Sequence, residues 1–201
     1  MQSGWHGLLK GFHMGEKEKR RCGWCNLSNP LYVDYHDKEW GVPVHEDGKL
    51  FEMLLLESFQ AGLSWECILN KREAFRRAFD GFDYRKIARY DDRKLEDLSR
   101  DAGIVRNRLK IKAAVNNARV FLETQEEYGS FSRYLWGFTE GNILYATGLA
   151  TSPLSDAISR DLRQRGMKFM GSTVVYAYLQ AIGIINSHEK GCWKHEEAAT
   201  R

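Results

Sequence analysis

The chain has little of what marks secreted, membrane-bound and disordered proteins. It contains only 3 prolines in 201 residues, which argues against a linker-rich or disordered chain. No apolar run approaches the roughly 18 residues of a membrane span. Residues 1–20 lack the apolar core of a signal peptide and read as a mobile tail. We therefore expect a cytoplasmic protein with no membrane partner, long enough to fold without disulfides.

Cysteine is also scarce, and the 4 cysteines are not spaced like a disulfide framework. Cys22 and His36 lie near one end of the chain, and His188 and Cys192 lie four apart near the other. Two thiolates and two imidazoles form a normal tetrahedral zinc set, which would join the two chain ends. Two alternatives stay open: Cys25 could replace one ligand, or Cys22 and Cys25 could be a redox pair. The redox pair is disfavoured because no strand precedes it.

Strand signals are weak, whereas apolar residues recur at helical spacing along most of the chain. The pattern predicts an all-α protein with two helical lobes around a cleft. Asp91 or Asp92 is an expected N-cap, as is Ser172 or Thr173. The predicted helical segments are residues 48–69, 71–80, 83–90, 93–101, a long amphipathic helix with Ile111, Val115, Ala118 and Leu122 on one face, 130–138, 155–165 and 172–186.

Aromatic residues make up 12% of the chain and crowd its first third, together with a carboxylate in an apolar run. Each aromatic residue alone would be assigned to the core. Glu57 is harder to assign there, because glutamate is almost never fully buried without a reason. In an unbroken helix, Glu57 and Trp65 would share a face. As a group, these side chains are typical of a pocket for a flat, electron-poor or cationic ligand: Trp24, Tyr32, Tyr35, Trp40, Glu57 and Trp65.

Acidic residues are absent between Asp101 and Glu123, although the net charge of the chain is only +3. A turn at Gly103 precedes the long helix, in the order helix, turn, helix. Such a turn can present backbone N–H groups to a phosphate, and nearby cations add salt-dependent affinity for DNA. The stretch therefore predicts a DNA contact. Its cations are Arg106, Arg108, Lys110, Lys112 and Arg119.

Five longer motifs and a closing GC follow one another through residues 21–192: RCGW, PLYVDYHDKEWGVP, LFEMLLLESFQAGLSW, DAGIVRNRLKI and GMKFMGSTVVYAYLQAIGIINSH. Together they closely resemble the DNA-3-methyladenine glycosylase I family. The resemblance implies a helix-hairpin-helix glycosylase fold, with two helical lobes around a base-binding cleft and a zinc that joins the termini. It implies a glycosylase domain over 21–195 with the hairpin at about 93–122, and tails at 1–20 and 196–201.

The same resemblance implies the roles of individual residues. The implied ligands of one structural Zn²⁺ are Cys22, His36, His188 and Cys192, which leaves Cys25 as a bystander. The implied base pocket is Trp24, Tyr32, Tyr35, Trp40, Glu57 and Trp65, with Glu57 and Tyr35 as catalytic candidates. Gly62 and Leu63 match the segment that inserts where the base leaves the duplex, and Gly103, Arg106 and Lys110 are further expected DNA contacts.

The activity implied is hydrolytic removal of N3-methyladenine from alkylated double-stranded DNA. We expect the protein to be a monomer and to act, as in bacteria, on the chromosome in the cytoplasm. A methyl group on N3 gives the adenine a positive charge and weakens its bond to the sugar. The enzyme must then mainly extrude the base, hold it and admit water. We expect Glu57 to recognise the Watson–Crick edge, with Trp65 and Tyr35 on the ring faces. A lyase step is not expected, because no lysine stands in a clear nucleophile motif. A catalytically silent DNA-binding module would not need Glu57 and its aromatic neighbours.

Overall fold

The computed structural model describes residues 19–195, so residues 1–18 of the predicted N-terminal tail and the whole predicted tail at 196–201 lie outside the described residues. In that range helices dominate, and strand is confined to two residue pairs, which confirms the all-α prediction. No helix among the described residues is long and apolar enough to cross a membrane. The α-helices are α1 Pro30–Lys38, α2 Asp47–Gln60, α3 Trp65–Ala78, α4 Tyr84–Ile87, α5 Asp92–Arg100, α6 Arg108–Tyr128, α7 Phe131–Gly137, α8 Pro153–Gln164 and α9 Ser172–Ala181, with a 3-10 turn at Asp80–Phe82.

The apolar segment predicted as one helix over 48–69 is two helices with a sharp turn between them. Helix α2 ends at Gln60, and Gly62 adopts a left-handed conformation with φ of 82° that few side chains tolerate. Helix α3 starts again at Trp65, because the hydroxyl of Ser64 accepts a hydrogen bond from the Cys67 N–H at 3.2 Å. The prediction of an unbroken helix was wrong, and Glu57 and Trp65 lie on different helices.

The hairpin forms where it was predicted, between α5 and α6. Asp91 is the N-cap of α5, and Asn107 caps α6 by accepting hydrogen bonds from two main-chain N–H groups. The buried face of α6 contains Ile111 among its first residues, as its amphipathic pattern predicted. Between the two helices, Asp101 Oδ1 accepts a hydrogen bond from the Gly103 N–H at 2.7 Å.

The C-terminal segment differs from its prediction in two respects. Helix α9 is capped by Gly171 rather than Ser172 or Thr173, and it ends at Ala181 rather than near residue 186. Beyond it, strand β2 (Ile185–Asn186) pairs in parallel with β1 (Leu144–Tyr145). Gly183 allows this path: a Cβ there would lie 2.4 Å from the main chain of residues 42 and 43. The segment after α1 is therefore held directly against the end of α9.

Helix α2 lies in the middle of the molecule and contacts α3, α6, α7 and α9. All ten residues from Leu50 to Phe59 are buried, including two glutamates. The C-terminal end of this central helix therefore reaches the surface at the 61–64 turn, next to the start of α3 and the first turn of α6.

Candidate functional site

The six residues predicted to form a pocket line one cavity of about 320 Å³. Helix α1 supplies Tyr32 and Tyr35, α2 supplies Glu57, and Trp65 is the first residue of α3. Trp24 precedes α1 and Trp40 follows it, so both tryptophans stand on the turns that flank this short helix. The structure thus brings together, from α1, α2 and the start of α3, side chains that are spread over 42 positions of the chain.

The walls of the cavity are aromatic rings in contact with one another. The rings of Tyr35 and Trp65 have centroids 5.0 Å apart, and those of Trp24 and Trp40 lie edge to face at 4.6 Å. The Tyr32 ring lies 5.5 Å from Trp24. Burial keeps the pKa of the Tyr35 phenol well above its ordinary value, so its hydroxyl stays neutral. The result is a flat-sided space bounded by π-faces and phenol groups.

Two polar atoms of this cavity have no hydrogen-bond partner among the described residues: Oε2 of Glu57 and Nε1 of Trp65. Glu57 is only 3% exposed, and its burial raises the pKa of its carboxyl to about 8. Buried polar groups are nearly always paired, so an unpaired acceptor and an unpaired donor in one cavity need an explanation. A ligand with a complementary polar edge would satisfy them.

The sequence did not indicate the other residues that line this cavity. Gln60 carries a recognisable signal, since it lies one helical turn after Glu57 on the same helix. The remaining residues come from the distant C-terminal third, where nothing in the local pattern marks them. The residues missed are Gln60, Gly148, Ala177, Gln180, Ser187 and Glu189.

The four predicted metal ligands form a buried cluster, in which the four ligand atoms all lie within 4.8 Å of one another. Cys22 Sγ lies 3.5 Å from Nδ1 of His188, and Cys192 Sγ lies 3.5 Å from Nε2 of His36 and 3.7 Å from Nδ1 of His188. In a tetrahedral zinc site with ordinary bond lengths, sulfur and nitrogen ligands are about 3.5 Å apart. The donor set and its spacing therefore fit a zinc ion.

Hydrogen bonds around the cluster hold both imidazoles in the form that binds a metal. Nε2 of His188 lies 3.2 Å from the Trp40 carbonyl oxygen, which can only accept, so this nitrogen carries the proton and Nδ1 is free to ligate. Nδ1 of His36 donates to Asp37 at 2.8 Å, and Arg21 in turn holds Asp37. Burial raises the pKa of the Cys22 thiol to about 12, so a thiolate there needs a bound cation.

Cys25 lies outside this cluster, with its Sγ 3.8 Å from the Tyr32 carbonyl oxygen. Among the described residues the cluster adjoins the aromatic cavity through three ring contacts, one of them the His36 ring stacked on the Trp40 ring at 6.5 Å. The Trp40 ring lies 4.6 Å from the His188 ring, and the Trp24 ring lies 5.2 Å from the His36 ring. The Cys2His2 cluster therefore supports one wall of the cavity.

Of the five predicted DNA contacts, Gly62, Leu63 and Arg106 are exposed, whereas Gly103 and Lys110 are not. Leu63 is 41% exposed in the turn after Gly62, and Arg106 is exposed in the hairpin. The Gly103 N–H already donates to Asp101, and a Cβ there would lie 3.1 Å from the Ala74 side chain, so the position has little room for a side chain.

Lys110, another residue predicted to contact DNA, is buried in this structure. The residue is 6% exposed because it lies on the inward face of α6. Its Nζ donates to the carbonyl oxygens of Phe59 at 2.8 Å and Ala61 at 2.5 Å.

Comparisons with known proteins place this geometry in a family. A family model described as methyladenine glycosylase matches residues 24–195. DNA-3-methyladenine glycosylase 1 of Escherichia coli (strain K12) is 44% identical over 178 residues, which cover 86% of this chain and 95% of that protein. DNA-3-methyladenine glycosylase of Haemophilus influenzae is 38% identical over 178 residues, with 86% and 96% covered.

Solved structures agree with the sequence relatives. A crystal structure of 3-methyladenine DNA glycosylase I superimposes with a TM-score of 0.82 at 41% identity, and covers 87% of this chain and 98% of its own. A variant of 3-methyladenine DNA glycosylase I in complex with 3-methyladenine has a TM-score of 0.83 at 35% identity, with 86% and 96% covered.

Proposed function

The chain belongs to the methyladenine glycosylase family of N-glycosyl hydrolases, and from this premise we propose that it excises 3-methyladenine from alkylated double-stranded DNA. The observation that carries the proposal is the buried Glu57 carboxyl, whose Oε2 is unpaired inside an aromatic cavity. A carboxyl in that position costs stability, and a base with a polar edge and a positive ring would satisfy it.

In this proposal the methylated base enters the cavity as a flat ring. Tyr35 and Trp65 pack on its faces, where the π-systems attract the positive charge that methylation gives the ring. Glu57 accepts a hydrogen bond from the exocyclic amino group on the Watson–Crick edge. An unmethylated adenine has the same edge but lacks the charge and the methyl group, so its fit is weaker.

The chemical step needs little general-acid catalysis, because the leaving 3-methyladenine is neutral once its bond to the sugar breaks. The work of the protein is to take the base out of the stack, hold it, and admit one water to the sugar carbon. Unstacking costs a few kcal/mol and is least costly for a damaged base, while stacking on aromatic side chains returns about 1–3 kcal/mol. Glu57 and Tyr35 act as the residues in contact with the departing base.

On the DNA side, we propose that the hairpin binds phosphates through exposed cations such as Arg106, and that Gly62 and Leu63 fill the space the base leaves. A hydrolase without a lyase step fits these residues. Lys110, the hairpin lysine beside this turn, has its Nζ bound to two carbonyls and is not free to attack the sugar. A monomeric state and a cytoplasmic location stay predictions.

We further propose that Cys22, His36, His188 and Cys192 hold one structural zinc ion. When bound, the zinc supplies a cross-link and takes no part in the reaction. His188 then fixes the Trp40 carbonyl, and with it one wall of the base pocket.

Binding of free 3-methyladenine to Glu57 variants tests the pocket assignment. Glu57→Ala removes the acceptor and should bind the base about 3- to 10-fold more weakly in calorimetry, the range expected for one lost hydrogen bond between neutral groups. Glu57→Gln keeps a carbonyl acceptor and should lose less affinity than Glu57→Ala. The exposed Glu73→Gln is the matched control and should bind like the unmutated protein. Equal affinity in all four proteins would remove Glu57 from the base-recognition site.

A further inference from the structure

Lys110 is a buried cation that the proposed reaction does not use. It is 6% exposed, and no carboxylate among residues 19–195 forms an ion pair with it. Lysine is almost never buried without a partner, because removing an ammonium group from water is costly. That cost lowers the pKa of Lys110 below its ordinary value. The position of its side chain therefore needs a reason.

The ammonium group binds the end of α2. Its Nζ donates to the carbonyl oxygens of Phe59 and Ala61, at 2.8 Å and 2.5 Å. The last carbonyls of a helix have no partner inside the helix, and a cation at a helix C-terminus interacts favourably with the helix dipole. The next residues are Gly62 and Leu63, and the Leu63 N–H folds back onto the Gln60 carbonyl at 2.6 Å. Lys110 thus fixes the point at which the turn starts.

The main chain of Lys110 is fixed independently to the hairpin. It lies in the first turn of α6, where Asn107 Oδ1 accepts a hydrogen bond from its N–H at 3.2 Å. Its Nζ also lies 5.9 Å from the centroid of the Phe169 ring, which covers it from the α8–α9 loop. One side chain therefore joins the hairpin to the turn that carries Leu63.

We propose that Lys110 is a positioning residue for base extrusion, which sets the place of the Gly62–Leu63 turn relative to the DNA-bound hairpin through the carbonyls of Phe59 and Ala61. The inference rests on the proposed function and deepens it. If the turn changes its position relative to the DNA-bound hairpin, Leu63 no longer enters the duplex where the base must leave. The pocket itself does not include Lys110, so its affinity for a free base is independent of this tie.

Four substitutions separate this role from a phosphate contact. Lys110→Met keeps the length and apolar stem but removes the ammonium group, whereas Lys110→Arg keeps a cation and its donors. Lys112→Met makes the same chemical change at an exposed position two residues further along α6. Lys110→Gln, with a neutral donor, is the second variant if Lys110→Met does not fold.

The probe is a duplex with one 3-methyladenine and a neighbouring 2-aminopurine, whose fluorescence rises when the lesion leaves the stack. At saturating protein, Lys110→Met should extrude and excise the base about 10- to 100-fold more slowly, as expected for a misplaced group. Lys110→Gln should fall between, and Lys110→Arg should restore most of the rate. Affinity for free 3-methyladenine and the salt dependence of DNA binding should match the unmutated protein. Lys112→Met should instead flatten the salt dependence.

Three results would overturn the inference. The first is extrusion at the unmutated rate by a folded Lys110→Met or Lys110→Gln. The second is a salt dependence flattened as in Lys112→Met, which would make Lys110 a phosphate contact. The third is a matching loss of affinity for the free base, which would show a general disturbance of the pocket. Failure of the unmutated protein to excise the base would contradict the proposed function instead.

Discussion

Glu57 combines two properties that conflict in a folded protein: it can ionise, and its surroundings disfavour the ionised form. Its carboxyl lies in the buried run of α2, and burial raises its pKa to about 8. Such a group lowers stability in the free protein and gains a partner only when a ligand enters. Residues that bind a ligand often lower the stability of the free protein because function requires them.

The shifted pKa of Glu57 predicts how stability depends on pH. The carboxyl titrates near 4.3 in the unfolded chain and near 8 in the folded one. The fold therefore favours the neutral carboxyl. The stability associated with the neutral Glu57 is fully present below pH about 4.3 and is lost as pH rises toward 8. Glu57→Gln cannot ionise, so we expect it to be about 4 kcal/mol more stable than the unmutated protein at pH 8.5 and similar at pH 4.5.

Urea unfolding at both pH values measures this difference, with Glu73→Gln as the control for loss of a surface carboxylate. Parallel pH profiles for Glu57→Gln and the unmutated protein would show that Glu57 does not have a raised pKa.

Individual residues differ in how far the sequence reveals them. Glu57 is visible because a charge interrupts an apolar run. Lys110 looks like one more surface cation, since its burial depends on how α6 packs beside the end of α2. Gln180 and Ser187 line the cavity only because the C-terminal third folds back against α1. Local patterns carry no information about such long-range contacts.

The helices that carry the pocket are tied together by an ion network. Arg72 on α3 binds Glu52 on α2 through Nε at 2.7 Å, and it binds Glu39, the residue after α1, through both terminal nitrogens. Lys49 and Arg76 complete the network. Since α1, α2 and α3 supply Tyr35, Glu57 and Trp65 respectively, this network sets the spacing of the pocket walls.

Removal of the central arginine should therefore be costly. Arg72→Met leaves Lys49 as the cation that the Glu39 and Glu52 carboxylates still share, and breaking a buried pair costs about 3–5 kcal/mol. Burial would raise the pKa of Glu39, but hydrogen bonds from Arg72 and Lys49 lower it to about 2. The stability this carboxylate contributes is present above pH about 4.3 and is lost as pH falls toward 2.

We expect Arg72→Met to lose most of the stability that the ionised Glu39 carboxylate contributes. Thermal unfolding between pH 3 and 7 measures this loss as a weaker dependence of the unfolding temperature on pH. The exposed Arg77→Met is the control. A loss below about 1 kcal/mol would show that the network behaves like a surface ion pair.

Element boundaries show a similar division between local and distant causes. Asp91 and the Gly103 turn were predicted because capping and turn signals are local. The break at 61–64 was missed because apolar residues recur on both sides of it, although Gly62 and Ser64 do mark it. The early end of α9 depends on the approach of Gly183 to the backbone of residues 42 and 43, which no local signal reports.

For the whole molecule, the Cys2His2 cluster joins the segment before α1 to the segment after β2. The sequence predicted all four ligands, although it left Cys25 open until the resemblance was considered. Because a metal binds the folded but not the unfolded arrangement, its binding energy adds to folding stability.

We therefore expect one zinc ion per chain, and a lower unfolding temperature after chelation or in Cys192→Ser. Cys25→Ser should keep both the metal and the unfolding temperature, since its sulfur lies outside the cluster. Elemental analysis of protein purified without chelator measures the zinc content, and a metal-free protein with unchanged stability would contradict the assignment.

The central claim is that this chain removes a methylated base from DNA, and release of that base is its most direct test. The protein is mixed in excess with a duplex containing one 3-methyladenine, the released product is identified by mass, and the strand is examined before and after alkali. We predict free 3-methyladenine and a strand that is cut only after alkali. Tight binding to the duplex without base release would contradict the claim and leave a module that binds damaged DNA.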